Sequence, residues 1–416
     1  MVDMDVKPGL FEKKENCCGC GACKNACPTG AIVMQPDEDG FLYPQINSAA
    51  CINCGVCARV CFYQQTTELS PPQSVYAATC LHTEILQKSS SGGIFAVLAK
   101  AILADGGSVY GAAYTYNQEQ GLYVSHIGID SAEELWRLQG SKYVHSDIML
   151  TYREAEQDLK AGRKVLFSGT PCQIDGLKGY LRKDYENLLT VDIVCHGVPG
   201  NKQFAEYIHY LEDKYKGEIT GFQFRDKTKG WEDFFLRAEV RKKRKAVTRT
   251  EHWHFSAYYV HFLRADMYRK NCYSCKYAGI NRCSDITLGD YWGIRKEHPE
   301  LFVKEQWWER LYDGISCVLI NSNRGRKILE SVQSEIDCVG STLEKVSRHN
   351  GQLREPAHLD CGRDKLLARW REGYSCIEKD LRQEMGLKYY KRRAVDLIRP
   401  EWKRVVKKTI RRLREK

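Results

Sequence analysis

The sequence lacks the glycine-rich motifs that bind nucleotides in Rossmann or Walker folds, since neither GxGxxG nor GxxxxGK[ST] occurs in its 416 residues. It also lacks any apolar run of membrane-spanning length. The first residues, Met1–Asp5, are acidic and no apolar stretch follows them, so no secretory signal is expected. These absences exclude a common nucleotide-binding fold and an integral membrane protein as interpretations of the sequence.

The net positive charge of the chain comes from one segment. The formal net charge is +10, and residues 387–416 alone contain 13 Lys or Arg against 3 Asp or Glu. The remaining 386 residues are therefore formally neutral. A basic surface spread over the folded part is absent, so we expect no nucleic-acid-binding function.

Cysteine is abundant, with 19 residues, and eight of them form two runs of identical C-x2-C-x2-C-x3-C spacing. This spacing is typical of bacterial ferredoxins, in which two runs bind two 4Fe-4S clusters and the fourth cysteine of each run ligates the other cluster. The predicted ligands of cluster one are Cys17, Cys20, Cys23 and Cys61, and those of cluster two are Cys51, Cys54, Cys57 and Cys27.

Zinc is the alternative, but zinc sites usually take two separated cysteine pairs, which two full runs of four fit poorly. The second run departs from the pattern, because Phe62 stands where proline usually follows the last cysteine. Cys18 is interpreted as a spare thiol and not as a ligand. Since cluster ligands must be free thiolates, the predicted location is the reducing cytoplasm.

Four further cysteines form a second constellation. Cys172 and Cys195 each follow a predicted buried strand, where sites commonly form in α/β folds, and Cys272 and Cys275 form a CxxC pair. Together they would suffice for a third 4Fe-4S cluster, with Cys283 as a rival ligand. Two alternatives stay open from spacing alone: a reactive Cys172 with His196 as its base, or half of a zinc site at the CxxC pair.

Five motifs, in this order, resemble the beta subunit family of coenzyme F-420 hydrogenases and dehydrogenases over residues 75–345. They are the segments 90–93 (SSGG), 139–143 (QGSKY), 169–174 (GTPCQI), 192–197 (DIVCHG) and 285–290 (DITLGD). The resemblance implies FAD and a 4Fe-4S cluster, the latter held by Cys172, Cys195, Cys272 and Cys275. It implies electron transfer between clusters and a deazaflavin or another organic acceptor.

The same resemblance makes two segments candidates for the flavin pocket: Ser91, Gly92 and Gly93, and then Gln139, Gly140, Ser141, Lys142 and Tyr143. A glycine pair at a helix N-terminus lets main-chain amides approach a pyrophosphate, and a lysine near the flavin ring favours the reduced anion. The alternatives are an ordinary helix start for the glycines and a solvated loop lysine for Lys142.

The predicted fold class is α+β, with a small two-cluster ferredoxin domain followed by a mixed α/β flavin and iron–sulfur domain. The predicted boundaries are 1–70 for the ferredoxin domain, 71–155 and 156–345 for the N-terminal and C-terminal parts of the beta-subunit-like domain, and 346–416 for a basic helical tail. Within that tail, residues 402–413 have helical apolar spacing, which could bind an anionic membrane or an acidic partner, or simply pack as a solvated helix.

The sequence therefore predicts an iron–sulfur flavoprotein oxidoreductase that exchanges electrons between a redox partner protein and a small organic substrate. One alternative is a non-catalytic electron-transfer subunit with clusters and no flavin. The other is a redox sensor in which Cys172 is the switch thiol.

Overall fold

The structure, a computed structural model, describes residues 10–65, 69–117, 121–243, 245–360 and 362–397. Its first part is a small module built on a two-fold repeat. The strands β1 (Ile32–Pro36) and β2 (Leu42–Ile46) pair antiparallel, with Ile32 opposite Ile46. The short helices α1 (Ala22–Ala26) and α2 (Val56–Arg59) carry the third cysteine of each run. In the sequence, the apolar segments 31–34 and 41–43 flank Pro36–Gly40, which predicts a strand, a turn and a strand between the two runs. The structure confirms this prediction.

The larger part is organised around one mixed sheet of eight strands, in the order β13-β3-β12-β11-β7-β6-β4-β5. The strands β4, β6, β7 and β11 run parallel, and the flanking strands are antiparallel. Strands from 71–155 and from 156–345 alternate in this sheet, so the two predicted parts fold together. The bounds are β3 Ser74–Cys80, β4 Ser108–Asn117, β5 Gly121–Ile129, β6 Val165–Gly169, β7 Leu188–Ile193, β8 Glu218–Asp226, β9 Phe235–Lys242, β10 Lys245–His252, β11 Ile286–Asp290, β12 Ser316–Ile320 and β13 Ile336–Ser341.

Helices cover both faces of this sheet. The apolar helix α4 packs on one face, and α5 with α6 packs on the other, because the central strands are apolar on both sides. The helices are α3 Thr83–Lys88, α4 Ile94–Ala104, α5 Thr151–Lys160, α6 Pro171–Leu181, α7 Asn201–Tyr215, α8 Ala257–Leu263, α9 Ile294–Glu297, α10 Glu305–Asp313, α11 Asn323–Ser331, α12 Leu343–His349, α13 Gly362–Trp370, α14 Tyr374–Met385 and α15 Leu387–Leu397.

The sequence predicts a helix over Ile94–Ala104, a helix that starts with a capping box at Thr170, another that starts at Ser131, and one from about Ser256 to Lys270. The last two differ from the structure. The helix expected from Ser256 to Lys270 ends at Leu263, because Ala265 adopts a left-handed conformation (φ 62°) and turns the chain. The helix expected after Ser131 is a short 3-10 helix, Ala132–Arg137, although Ser131 caps it as predicted. By contrast, α4 has the predicted bounds, and Thr170 and Gln173 form the predicted capping box of α6.

A second, aromatic core lies beside the large sheet. The strands β8–β10 form an antiparallel sheet, and helices α7, α8, α13 and α14 pack against it. Trp370 and Tyr374 are buried among Phe204 and Tyr258 in this core. Part of the region predicted as a basic tail is therefore integral to the fold, whereas the apolar face at 402–413 lies outside the described residues. Among the described helices, none is long and apolar enough to cross a membrane.

The ferredoxin module is fixed to the larger part by hydrogen bonds to its main-chain carbonyls. Three cations of the larger part donate them: Arg153 Nη2 to Cys27 O (2.7 Å), Arg269 Nη1 to Leu42 O (2.8 Å) and Lys276 Nζ to Phe62 O (2.6 Å). Charged donors make stronger hydrogen bonds than neutral ones. The fold class is confirmed: a ferredoxin-like module precedes a larger mixed α/β part.

Candidate functional site: three groups of cysteines

Each cysteine run folds into a loop with left-handed residues at the same two positions. In the first run these are Gly19 and Gly21, both with φ 71°; in the second they are Asn53 with φ 55° and Gly55 with φ 70°. Glycine and asparagine are the residues that adopt this conformation at least cost. The run spacing and these residues together turn successive thiols of each loop towards a common point.

The four predicted ligands of cluster one line a single cavity. The cavity is bounded by Cys17, Cys20, Cys23 and Cys61, together with apolar side chains such as Leu10 and Met34. Gln64 Nε2 donates to Cys61 Sγ over 3.4 Å. Cys61 comes from the second run, so the structure brings the thiols together crosswise, as the ferredoxin pattern predicts.

The predicted ligands of cluster two lie at the outer side of the module. Cys27, Cys51 and Cys57 pack in one apolar group with Leu10 and Ile32. Burial raises the pKa of the Cys57 thiol, and the neighbouring Cys27 and Cys54 thiols add to this effect. Cys54 is exposed to solvent. Every other predicted cluster ligand is partly or fully buried, so this site is the one most open to solvent.

The four cysteines of the third group come from distant parts of the sequence and line one cavity. Cys172 lies in the first turn of α6, Cys195 follows β7, and Cys272 and Cys275 lie in and just after a 3-10 helix, Lys270–Ser274. Burial raises the pKa of Cys272 to about 12 and that of Cys275 to about 11. Thiols with such raised pKa values stay protonated near neutral pH unless a metal or cluster binds, because its positive charge stabilises the thiolates.

The sequence predicts that Cys18 is a spare thiol, but the residue lies between the first and third groups. It lines both cavities and is 2% exposed, whereas its repeat counterpart Ile52 is 64% exposed. Its thiol contacts Cys20 on one side and Cys172 on the other. A hydrogen bond from Cys18 lowers the pKa of Cys172. No spacing rule could have identified this residue, because its role depends on which side of the module faces the larger part.

Cys283, the rival ligand, does not line the third cavity. Its thiol contacts Pro171 O over 3.4 Å, and it is buried in the core beneath α6. Arg282 does line the cavity and forms a buried ion pair with Asp192 at 3.1 Å. The geometry therefore favours Cys172, Cys195, Cys272 and Cys275 as the group that could hold a cluster.

The two segments predicted to bind a flavin contact each other. Ser141 N donates to Ser90 Oγ (2.6 Å), and Gln139 Nε2 donates to Ser89 Oγ (3.1 Å). Lys142 folds back onto its own loop, with Nζ donating to Gln139 O over 2.8 Å. Tyr143 stacks on Phe262, with the ring centroids 4.3 Å apart.

The glycine pair serves packing at this site. A Cβ at Gly92 would lie 2.5 Å from Ala78 O and 2.8 Å from Ser316 N, so the loop passes tightly over β3 and β12. Gly93 is left-handed (φ 77°) and precedes the first turn of α4. By contrast, a Cβ at Gly140 would contact nothing within 4 Å. The open side of this region is therefore next to Gly140 and not next to Gly92.

Positive charge is concentrated around the two segments. Burial lowers the pKa of Lys142 to about 7 and that of Lys227 to about 8, and Lys227 Nζ donates to Ser91 O over 3.1 Å. Burial disfavours the charge of Arg225, but Asp290, 3.0 Å away, raises the pKa of this guanidinium overall. Lys227 lies near Arg225 and the carboxylates of Asp290 and Asp313, whereas Lys142 forms no ion pair within the described residues. An anionic ligand beside Lys142 would stabilise its charged form.

His196 connects this region to the third cavity. It lines that cavity next to Cys195, and its ring lies 6.4 Å from that of Phe262, which in turn stacks on Tyr143. Desolvation by the surrounding side chains lowers the pKa of His196, although the residue is partly open to solvent. The rings of His196, Phe262 and Tyr143 therefore form a series of neighbours between the third cysteine group and the segment 139–143.

Comparison with known proteins agrees with this organisation. Residues 162–344 match the family of the C-terminal part of the beta subunit of coenzyme F-420 hydrogenase/dehydrogenase, and residues 16–64 match the "4Fe-4S dicluster domain". The chain is 24% identical over 227 residues to the F subunit of the F(420)H(2) dehydrogenase of Methanosarcina mazei, covering 50% of this chain and 63% of the relative. It is 40% identical over 52 residues to an uncharacterised ferredoxin of Methanocaldococcus jannaschii, covering 12% of this chain and 66% of the relative.

Among solved structures, the F-420-reducing NiFe hydrogenase complex from Methanosarcina barkeri contains a chain that aligns with a TM-score of 0.42 and 18% identity, over 77% of this chain and 95% of that one. The matched family and the matched dicluster domain are those expected from the motifs. Residues 162–344 are therefore similar to the C-terminal part of the beta subunit of coenzyme F-420 hydrogenase/dehydrogenase, and residues 16–64, in front of them, are similar to 4Fe-4S dicluster domains.

Proposed function

We propose that the protein is a cytoplasmic iron–sulfur flavoprotein oxidoreductase that moves electrons between a redox partner protein and a small organic acceptor, in either direction. The main observation in support is that the first cysteine group, the third cysteine group and the predicted flavin segments are neighbours in the structure. Cys18 lines both the first and third cavities, and His196 extends from the third cavity to the side chains that pack on Tyr143.

The residues of the third cavity fit a 4Fe-4S cluster. Four thiols are needed, and the thiols of four partly buried cysteines line the cavity: Cys172, Cys195, Cys272 and Cys275. Zinc would also accept four thiolates. The dicluster module supports a cluster here, because an electron carrier at the adjacent cavity needs a neighbour that can accept electrons.

The cationic groups fit FAD, which when bound exchanges single electrons with clusters and a hydride with organic substrates. Lys142, Lys227 and Arg225 offer the charge that a pyrophosphate or an anionic reduced ring requires. The open side at Gly140 leaves room for a ligand to approach Lys142. Coenzyme F-420 is one acceptor to test, because the matched family and the Methanosarcina mazei relative are named for it.

Anaerobic purification followed by flavin extraction and iron counting tests the proposal. Three cubane clusters and one flavin give about 12 irons and one FAD per chain. About 8 irons without flavin, even after reconstitution with FAD, would contradict the oxidoreductase and favour an electron-transfer subunit.

A pair of cysteine variants tests the third cluster separately. Cys172→Ser should remove about four irons per chain, because it removes a ligand. Cys283→Ser is the control: Cys283 is a more deeply buried cysteine that contacts the same helix start at Pro171 but lies outside the cavity, so this variant should keep every iron. Unchanged iron content in Cys172→Ser would favour the switch thiol of a redox sensor.

A further inference from the structure

Arg269 lies at the junction between the first and third cysteine groups. Its main chain belongs to the third group's side: Arg269 N donates to Val198 O (2.9 Å), and Arg269 O accepts from Cys272 N (2.9 Å). Its side chain leaves that segment and enters the first cysteine loop, where it is 0% exposed. The residue therefore belongs to one site by its backbone and to the other by its guanidinium.

The guanidinium is held on several sides by the ferredoxin module. Nε donates to Cys17 O over 3.0 Å, and Nη1 donates to Leu42 O over 2.8 Å. Nη2 lies 3.7 Å from Cys17 Sγ and donates to it. The ring of Tyr43 lies 3.9 Å from Cζ, and a Cβ at Gly19 would come within 3.0 Å of Nη1. The pocket is thus shaped for a planar cation.

The negative charge that faces Arg269 comes from cysteines. Other buried arginines pair with carboxylates, as Arg282 does with Asp192 and Arg225 with Asp290. Arg269 forms no such ion pair within the described ranges, and its side-chain hydrogen bonds go to two carbonyls and one cysteine sulfur. A buried cation without a compensating anion is costly, so a negatively charged group is expected beside Cys17.

We propose that Arg269 sets the reduction potential of the cluster held by Cys17, Cys20, Cys23 and Cys61. A cluster gains one negative charge on reduction, and both a nearby positive charge and a hydrogen bond to a ligand sulfur stabilise the reduced form. Arg269 supplies both to this site, whereas only its charge reaches the third group, at Cys172 and Cys272. It therefore raises the potential of cluster one above that of the outer cluster. The inference rests on the ligand assignment for cluster one, and it holds whether or not the chain binds a flavin.

The test is a redox titration of the full-length, iron-loaded protein, monitored by electron paramagnetic resonance. Arg269→Gln removes the charge and should move one cluster transition to a more negative potential. We expect at least a tenfold change in the oxidised-to-reduced ratio at fixed potential, which is about 59 mV for one electron. Arg269→Lys keeps the charge but loses the planar donor pair, and should shift the same transition by less.

Arg363→Gln is the matched control. Arg363 is also buried, at 2% exposure, but it donates to Tyr268 O and pairs with Asp364 and contacts none of the ligand cysteines. It should leave all transitions in place.

Iron is counted in every sample, so loss of a cluster is separated from a shift in its potential. An iron-replete Arg269→Gln protein with wild-type potentials would overturn the proposal. If that variant cannot hold iron, Arg269→Lys decides, and an unchanged or more positive potential would overturn it. Flavin content does not enter the measurement, so failure of the proposed oxidoreductase function is distinguishable from failure of this inference.

Discussion

Cys18 illustrates how one side chain can acquire a role that its motif does not encode. It occupies the position between the first two ligands of its run, where the second run has Ile52. The motif makes its thiol dispensable for ligation, but the fold places the thiol against Cys172. A hydrogen bond to a cluster sulfur stabilises the reduced cluster.

We expect Cys18→Ala to retain the full iron content and to lower the potential of the third cluster. The thiol donates to Cys172, but it is a fifth thiol beside four that suffice. Iron counting and an electron paramagnetic resonance titration measure the two effects. Loss of about four irons in this variant would show instead that Cys18 is a ligand.

Lys142 should make stability depend on pH. Its pKa falls from about 10.4 in an unfolded chain to about 7 in the folded protein because of burial. Between these values the unfolded chain binds more protons, so stability rises with pH across this interval, and below about pH 7 the full penalty applies.

Lys142→Met removes this penalty. The flavin-free variant should therefore gain most in unfolding midpoint, relative to wild type, near pH 6, and the gain should shrink towards pH 9. Urea unfolding at these two pH values measures the difference, with Lys164→Met at an exposed site as the control. A constant difference between the two pH values would contradict the lowered pKa.

At the scale of elements, the hydrophobic pattern and the capping residues correctly predict those helices and strands that depend only on local sequence. The helix α4, the strand β3 and the capping box of α6 follow from local sequence, because each needs only its own residues. The helix predicted to reach Lys270 is wrong after Leu263. Met267 and Tyr268 are buried by tertiary packing in a turn, and their apolar side chains extend the apolar pattern of the helix in the sequence.

The candidate site shows the same division. The ferredoxin ligands come from adjacent residues, so spacing predicts their grouping. The third group forms only because β6, which leads into α6, pairs with β7. The family resemblance predicts this grouping of cysteines, but their spacing in the sequence does not. Cys18 and Arg269 escape prediction, since neither carries a sequence signal and both depend on how the module docks.

The loop between β3 and α4 offers a test of the role of the glycines. Gly92→Ala would force a Cβ to 2.5 Å from Ala78 O, so we expect a loss of about 1–3 kcal/mol or more in unfolding free energy. Gly140→Ala has open space but a positive φ of 82°, so it should cost only about 1–2 kcal/mol.

Thermal unfolding of both variants measures these effects. Equal stability of Gly92→Ala and wild type would mean that the loop is not packed as described. A loss of flavin binding in Gly140→Ala, at retained stability, would support this side as the one a ligand approaches.

At the scale of the whole molecule, the module and the larger part should behave as one cooperative unit. Arg153, Arg269 and Lys276 each donate to a carbonyl of the module, and the first and third cavities share Cys18 as a wall. Breaking the module away would leave these cations without acceptors in a newly exposed surface.

We therefore expect loss of the iron–sulfur absorbance and loss of helical circular dichroism to coincide on heating under anaerobic conditions. Arg153→Gln, which removes one of the three attachments, should lower that common midpoint. Two separate transitions in the wild-type protein would show that the module unfolds independently.

The different surroundings of Cys18 and Ile52 distinguish an inner loop from an outer loop in a repeat that is otherwise symmetric. One copy of the loop is enclosed by this chain, and the other keeps an apolar side chain at the surface. Substitutions at position 52 alter only the surface of the module, whereas substitutions at position 18 disturb the interior. The outer loop can therefore vary at this position without affecting the packing, while the inner loop is constrained by the larger part of the chain.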